Sequence, residues 1–105
     1  MGIKMSGVVE QVEPETAAML LRVFHGIAEK CRTHQKDEAK FAAEQWRREM
    51  QFLQRPGLAD VFGDIVQSID AEQPRQARRQ ALILVVAMSR QSQGRRWRLE
   101  CGPGV

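Results

Sequence analysis

A chain of 105 residues, 43 % hydrophobic and 28 % charged with a formal net charge of +3, is one domain's worth of polypeptide and lies far from the low-hydrophobicity composition of disorder. Its longest unbroken apolar run, residues 81–88, holds eight residues, where a bilayer span needs about 20, so no segment is expected to cross a membrane. The first residues hold one lysine but no sustained apolar core and no small-residue cleavage site, so residues 1–12 read as a flexible leader on a cytoplasmic protein.

From residue 13 the chain reads as helix. Glu13, Pro14 and Glu15 place a proline at a first helical position and carboxylates at the positive end of the helix dipole. Beyond them Ala17, Leu20, Leu21, Phe24, Ile27, Ala28 and Cys31 recur at spacings of three and four, the stripe of an amphipathic helix that ends near Thr33. A polar break follows without a strong stop residue, and Asp37 is placed to cap a second helix. Ala39, Ala42, Ala43, Trp46, Met50 and Leu53 form its expected buried stripe, flanked by Phe41 and Phe52. Pro56 ends that helix, because the residue before a proline avoids helical geometry. The first two helices are expected to form an antiparallel hairpin.

Leu58, Val61, Phe62, Ile65, Val66 and Ile69 predict a third helix of about three turns, with Asp60, Asp64 and Gln67 on its solvent face. Asp70 and Gln73 have the spacing of a capping box, and Pro74 fits the first turn of a fourth helix. That helix carries Ala77, Ala81, Leu84, Val85 and Met88 on one face and Leu82, Ile83 and Val86 around the rest. Apolar all round for two turns, it demands cover on every side, and a second copy of the chain is the simplest cover. A strand over residues 82–87 competes through Val85 and Val86, but no turn signals bound it. Residues 94–105 read as a basic tail. The fold class expected is therefore all-α: a four-helix domain over residues 13–93, a hairpin plus two further helices, forming a homodimer.

Charge is distributed unevenly. Residues 1–73 hold 9 Lys/Arg against 12 Asp/Glu, whereas residues 74–105 hold 7 Arg against Glu100 alone. Arg75, Arg78 and Arg79 lie near the start of the fourth helix, where positive charge opposes the dipole at a cost of about a few tenths of a kcal/mol each. They read either as a contact surface for carboxylates or phosphates, which the arginine fork grips bidentately, or as a solvated face paired with the acidic second and third helices. Trp97, among Arg95, Arg96 and Arg98, fits three roles: cover for the fourth helix, an anchor in a protein interface, or a stacking platform for single-stranded nucleic acid.

His25, Cys31 and His34 are the clustered soft ligands, but paired zinc spacings are missing, so no metal and no other cofactor is expected. Cys31 and Cys101 are far apart, the second in a Gly/Pro tail, which favours reduced thiols. Neither a nucleophile elbow nor a Gly-rich phosphate loop occurs, so the chain reads as non-enzymatic. Twelve arginines against four lysines, with no asparagine or tyrosine, point to a GC-rich bacterial genome.

In length, helix content, Arg-rich composition and an apolar helix suited to self-pairing, the chain resembles the small helical anti-activators of bacterial quorum sensing, the QslA kind. The resemblance implies a homodimer that captures a LuxR-type transcription regulator and blocks its dimerisation or DNA access. The candidate partner-binding residues, read from the sequence itself, are Arg75, Arg78, Arg79, Leu82, Ile83, Val86 and Trp97. Two other functions stay open: a nucleic-acid binder using the arginines of the C-terminal third, and a secretion or assembly chaperone with a groove between helices.

Overall fold

The computed structural model describes residues 11–93. Four α-helices follow one another: α1 (Pro14–Arg32), α2 (Lys36–Phe52), α3 (Pro56–Asp70) and α4 (Pro74–Ser92). No strand occurs among the described residues. Residues 82–87 are helical, in phase with the segment around them: Ala77, Ala81, Leu84 and Met88 are all buried on one face of α4. No described helix is long and apolar enough to cross a membrane.

Three short turns join the helices, and all three close in the same way. Thr33, Leu53 and Ala71 cap the preceding helices. His34, Gln54 and Glu72 follow at φ of 64°, 59° and 61°. The next N–H groups, of Gln35, Arg55 and Gln73, donate back to the carbonyls of Lys30, Met50 and Ser68 at 2.8, 2.8 and 2.9 Å. This is the Schellman closure, which satisfies helix-end carbonyls and normally places glycine at the left-handed position. Here every such position carries a side chain, which explains why the sequence shows no stop signal after Thr33. Gln54→Gly removes the Cβ strain while sacrificing no side-chain bond described for Gln54. It is expected to stabilise the fold by about 1 kcal/mol and to raise the melting temperature by about 4–8 °C, read by circular dichroism; a lowered melting temperature would show that the left-handed residue is not strained.

The cap expectations need correction. Helix α2 starts one residue before Asp37, with Gln35 at its N-cap and no side-chain cap bond. Asp70 belongs to the last turn of α3 and forms an ion pair with Lys40 at 2.8 Å, so it caps nothing. Helix α3 begins at Pro56 and spans 15 residues, about four turns at 3.6 residues each, one more than expected.

Helix α1 packs chiefly along α4, and α2 along α3, while α1 and α2 share a smaller contact. The α1/α4 pair is antiparallel. At one end the Val12 N–H donates to Gln91 Oε1 at 2.9 Å, and at the other Glu29 lies within the electrostatic reach of Arg78. Lys36 to Glu72 and Lys40 to Asp70, each at 2.8 Å, tie the start of α2 to the end of α3. The two pairs meet in one core. Phe24 of α1 and Phe62 of α3, both fully buried, stack with ring centroids 4.6 Å apart and planes 10° from parallel. The buried Ser68 hydroxyl donates to Gln80 Oε1 at 3.1 Å, so this polar side chain is satisfied as burial requires.

The periodic stripes of α1 and α3 match the core, with Leu21 and Val61 at its margin. On α2 only Ala39, Ala43 and Met50 are buried, with Ala42 and Trp46 packed against the core's edge. Leu53 is half-exposed at the C-cap, and Phe41 and Phe52 point outward, 69 % and 81 % exposed.

Candidate protein-binding face on helix four

At about 100° per residue, the buried stripe of Ala77, Ala81, Leu84 and Met88 leaves Arg75, Arg78, Arg79, Leu82, Ile83 and Val86 on the opposite side of α4. These six residues line one open groove of about 430 Å³. They are the sequence-derived candidates apart from Trp97, which lies outside the described residues together with Arg95, Arg96 and Arg98. Ile83 is 59 % and Val86 51 % exposed. Leu82, Val85 and Ala87 pack against the margin of the core. The fold thus covers most of the apolar girdle of α4, and the demand for a second copy contracts to Ile83, Val86 and the outer edge of Leu82. A helix flanked by neighbours buries its sides as well as its inner face, which residue counting along the sequence underestimates.

The arginines are the second component. Among the described residues none of Arg75, Arg78 and Arg79 forms an ion pair, whereas Lys30, Arg32, Lys36, Lys40, Arg47, Arg48 and Arg55 all do. Pairing of the α4 arginines with acidic α2 and α3 does not occur there. Among the carboxylates of those helices, Glu38 pairs with Lys30 of α1, Glu44 with Arg47 and Arg48, and Asp70 with Lys40. Glu29 of α1 is held below the usual carboxylate range, first by its hydrogen bond from Arg32 and only last by Arg78.

The N-terminus of α4 adds to the positive field. The first turn of α4, like that of α3, holds no acidic residue, whereas Glu15 occupies the first turn of α1 and Asp37 and Glu38 that of α2. The helix dipole at this end therefore reinforces the three guanidinium charges. Across the molecule, α1 and α4 carry seven Lys/Arg against two Asp/Glu, and α2 and α3 four against seven.

Two other surfaces carry open grooves. Between α2 and α3 a polar groove is lined by Glu44, Arg47, Asp60, Gly63, Asp64 and Gln67, among others. Desolvation by the groove walls, reinforced by Asp60 one turn away, pushes the Asp64 carboxyl up. A carboxyl whose folded-state pKa is raised opposes folding while ionised, and the cost disappears as pH falls through that raised value. Asp64→Asn is accordingly expected to raise the melting temperature slightly at pH 7 and to weaken the stability gained on mild acidification. Melts across pH 4–7 check this, and a lowered melting temperature at pH 7 would show that Asp64 makes a favourable contact.

The other surface is the outer side of α2 around Phe41, with Asp37, Lys40, Gln45 and Arg48 beside it. Phe41 and Phe52 are eleven residues apart and so lie on one line of the helix. They flank the buried stripe in sequence, and their phase relative to Ala39, Ala43 and Met50 is the signal that they face away. Of the candidate metal ligands, His25 and His34 are exposed while the Cys31 thiol is buried, and burial pushes its pKa up. No group of three or more His, Cys, Asp or Glu residues arranged to hold a metal occurs among the described residues.

Comparison with family models, curated proteins and solved structures finds no match to the chain.

Proposed function

We propose that the protein is a non-enzymatic regulator that acts by occupancy, using the outer face of α4 to capture a partner protein and cover a surface the partner needs. The partner class we favour is a bacterial transcription regulator of the LuxR type, held away from dimerisation or DNA, which is the mode of action implied by the resemblance to quorum-sensing anti-activators. One observation carries this: Arg75, Arg78 and Arg79, without ion-pair partners among the described residues, run directly into exposed Ile83 and Val86 on a single helix face. Arginine is enriched in protein interfaces, where its guanidinium fork sets register, and the adjoining exposed apolar side chains supply burial. The positive field also speeds encounter with an acidic partner.

A phosphate backbone would use the arginines but would leave Ile83 and Val86 without a role, which is why nucleic acid comes second. A chaperone would need an apolar groove between helices, and the groove between α2 and α3 is lined mainly by charged and polar groups.

The test is recovery of the tagged protein from its native cytosol with nuclease present, in moderate salt, followed by mass spectrometry of what stays bound. The expected result is one stoichiometric protein that is retained by the native chain and lost with Ile83→Asp. Loss of every partner on nuclease treatment would move the function to nucleic acid, and retention by Ile83→Asp would remove α4 from it.

A further inference from the structure

Resting on that function, we infer that the element received by α4 is an amphipathic helix with an acidic first turn, lying parallel to α4. The shape of the face sets the type of element. From Arg75 to Val86 it is a straight line of about 16 Å, three turns of helix, with contacts at positions i, i+3, i+4, i+7, i+8 and i+11. A partner helix matches this periodicity. An added strand would need a sheet edge, and no strand occurs among the described residues.

Charge sets the composition and the direction. The three arginines occupy the first turns of α4 and the exposed aliphatics its middle, so carboxylates on the occupant must lie at one end and its apolar residues must follow. Carboxylates stabilise a helix in its first turn and destabilise it in its last, which favours the parallel run. In that run the partner's acidic turn meets both the guanidinium groups and the positive end of the α4 dipole. One pairing thereby offsets the unfavourable placement of arginine in α4 itself.

A second copy of this chain is a poorer occupant. Its α2 opens with Asp37 and Glu38 and exposes Phe41, but Lys40 and Arg48 border the same patch. Antiparallel α4 on α4 would bring Arg75 and Arg79 towards the half that carries Arg90 of the other copy, setting like charges together.

The experiment uses the full chain, labelled with ¹⁵N, and synthetic helical peptides of about five turns. The first peptide has glutamates in its first turn followed by leucines at heptad spacing; the second has the same glutamates in its last turn; the third replaces them with glutamine. Amide shifts confined to residues 75–86, with the first peptide binding about tenfold more tightly than the other two, are expected from several partly exposed charge pairs acting together. Arg78→Ala with Arg79→Ala is expected to reduce the first peptide to the affinity of the third. Equal binding of all three peptides, shifts centred elsewhere, a single-stranded oligonucleotide binding more tightly at the same amides, or shifts of those amides with protein concentration alone would each overturn the inference. If the peptides fail while the cellular partner still depends on Ile83, only the helix assignment falls. If the partner does not depend on Ile83, the proposed function falls whatever the peptides do.

Discussion

Aspartate at position 84 is expected to unfold the protein, whereas aspartate at position 83 is expected to leave it folded and to abolish capture of the proposed partner. Leu84 is 7 % exposed and Ile83 59 %, so the same chemical change meets two environments one residue apart. Leu84→Asp forfeits about 2 kcal/mol of apolar burial and places a carboxylate where no partner is described, at a further cost of several kcal/mol. A domain of this size holds about 5–15 kcal/mol in total, so much or all of the stability goes. Protonation relieves part of the cost, so any folded fraction is expected to rise as pH falls. Ile83→Asp changes an exposed site, where substitutions usually move stability by about 0.5 kcal/mol or less. Circular dichroism melts of the two variants, with partner recovery for the second, decide the matter. Similar melting curves for both variants would mean that the inner and outer faces of α4 have been misassigned.

Phe24→Ala is the other large effect. The side chain is fully buried against Phe62, and removing a buried phenylalanine ring costs about 3–5 kcal/mol, through lost transfer energy and the cavity left behind. The same cost is expected for Phe62→Ala. The two residues join the α1/α4 pair to the α2/α3 pair, and the double variant is expected to lose less than the sum, by about 0.5–1.5 kcal/mol for an aromatic pair in contact. Denaturant unfolding of the four proteins of the cycle measures this. Strict additivity would mean that the stacked rings pack independently and that other contacts hold the two pairs together.

Much of the fold is legible in the sequence because burial follows helical period. Ala17, Leu20, Phe24, Ile27, Ala28 and Cys31 are buried as their spacing requires, and so are Ala77, Ala81, Leu84 and Met88. The outer face of α4 follows from the same phase, which is why Arg75, Arg78, Arg79, Leu82, Ile83 and Val86 come together in one groove. Periodicity shows which side of a helix is covered but not which element covers it, so the dominance of the α1/α4 contact over the α1/α2 contact was not visible. The turns were obscure for a different reason: His34, Gln54 and Glu72 adopt a backbone conformation that composition signals only when glycine supplies it. Phe41, Phe52 and Leu53 illustrate a third limit, since hydrophobicity alone does not bury a side chain that lies out of phase or beyond the last packed turn.

The hydrogen bond between Val12 and Gln91 brings the beginning of α1 beside the end of α4. The covalent order of the helices is therefore separable from their packing. A short linker across that junction, with the chain reopened at the turn around Gln54, would give a circularly permuted protein in the order α3, α4, α1, α2, with the four described helices and the packing among them retained. In such a permutant the new ends emerge between α2 and α3, while α1 and α4, the pair that carries the arginine face, become directly consecutive in the chain.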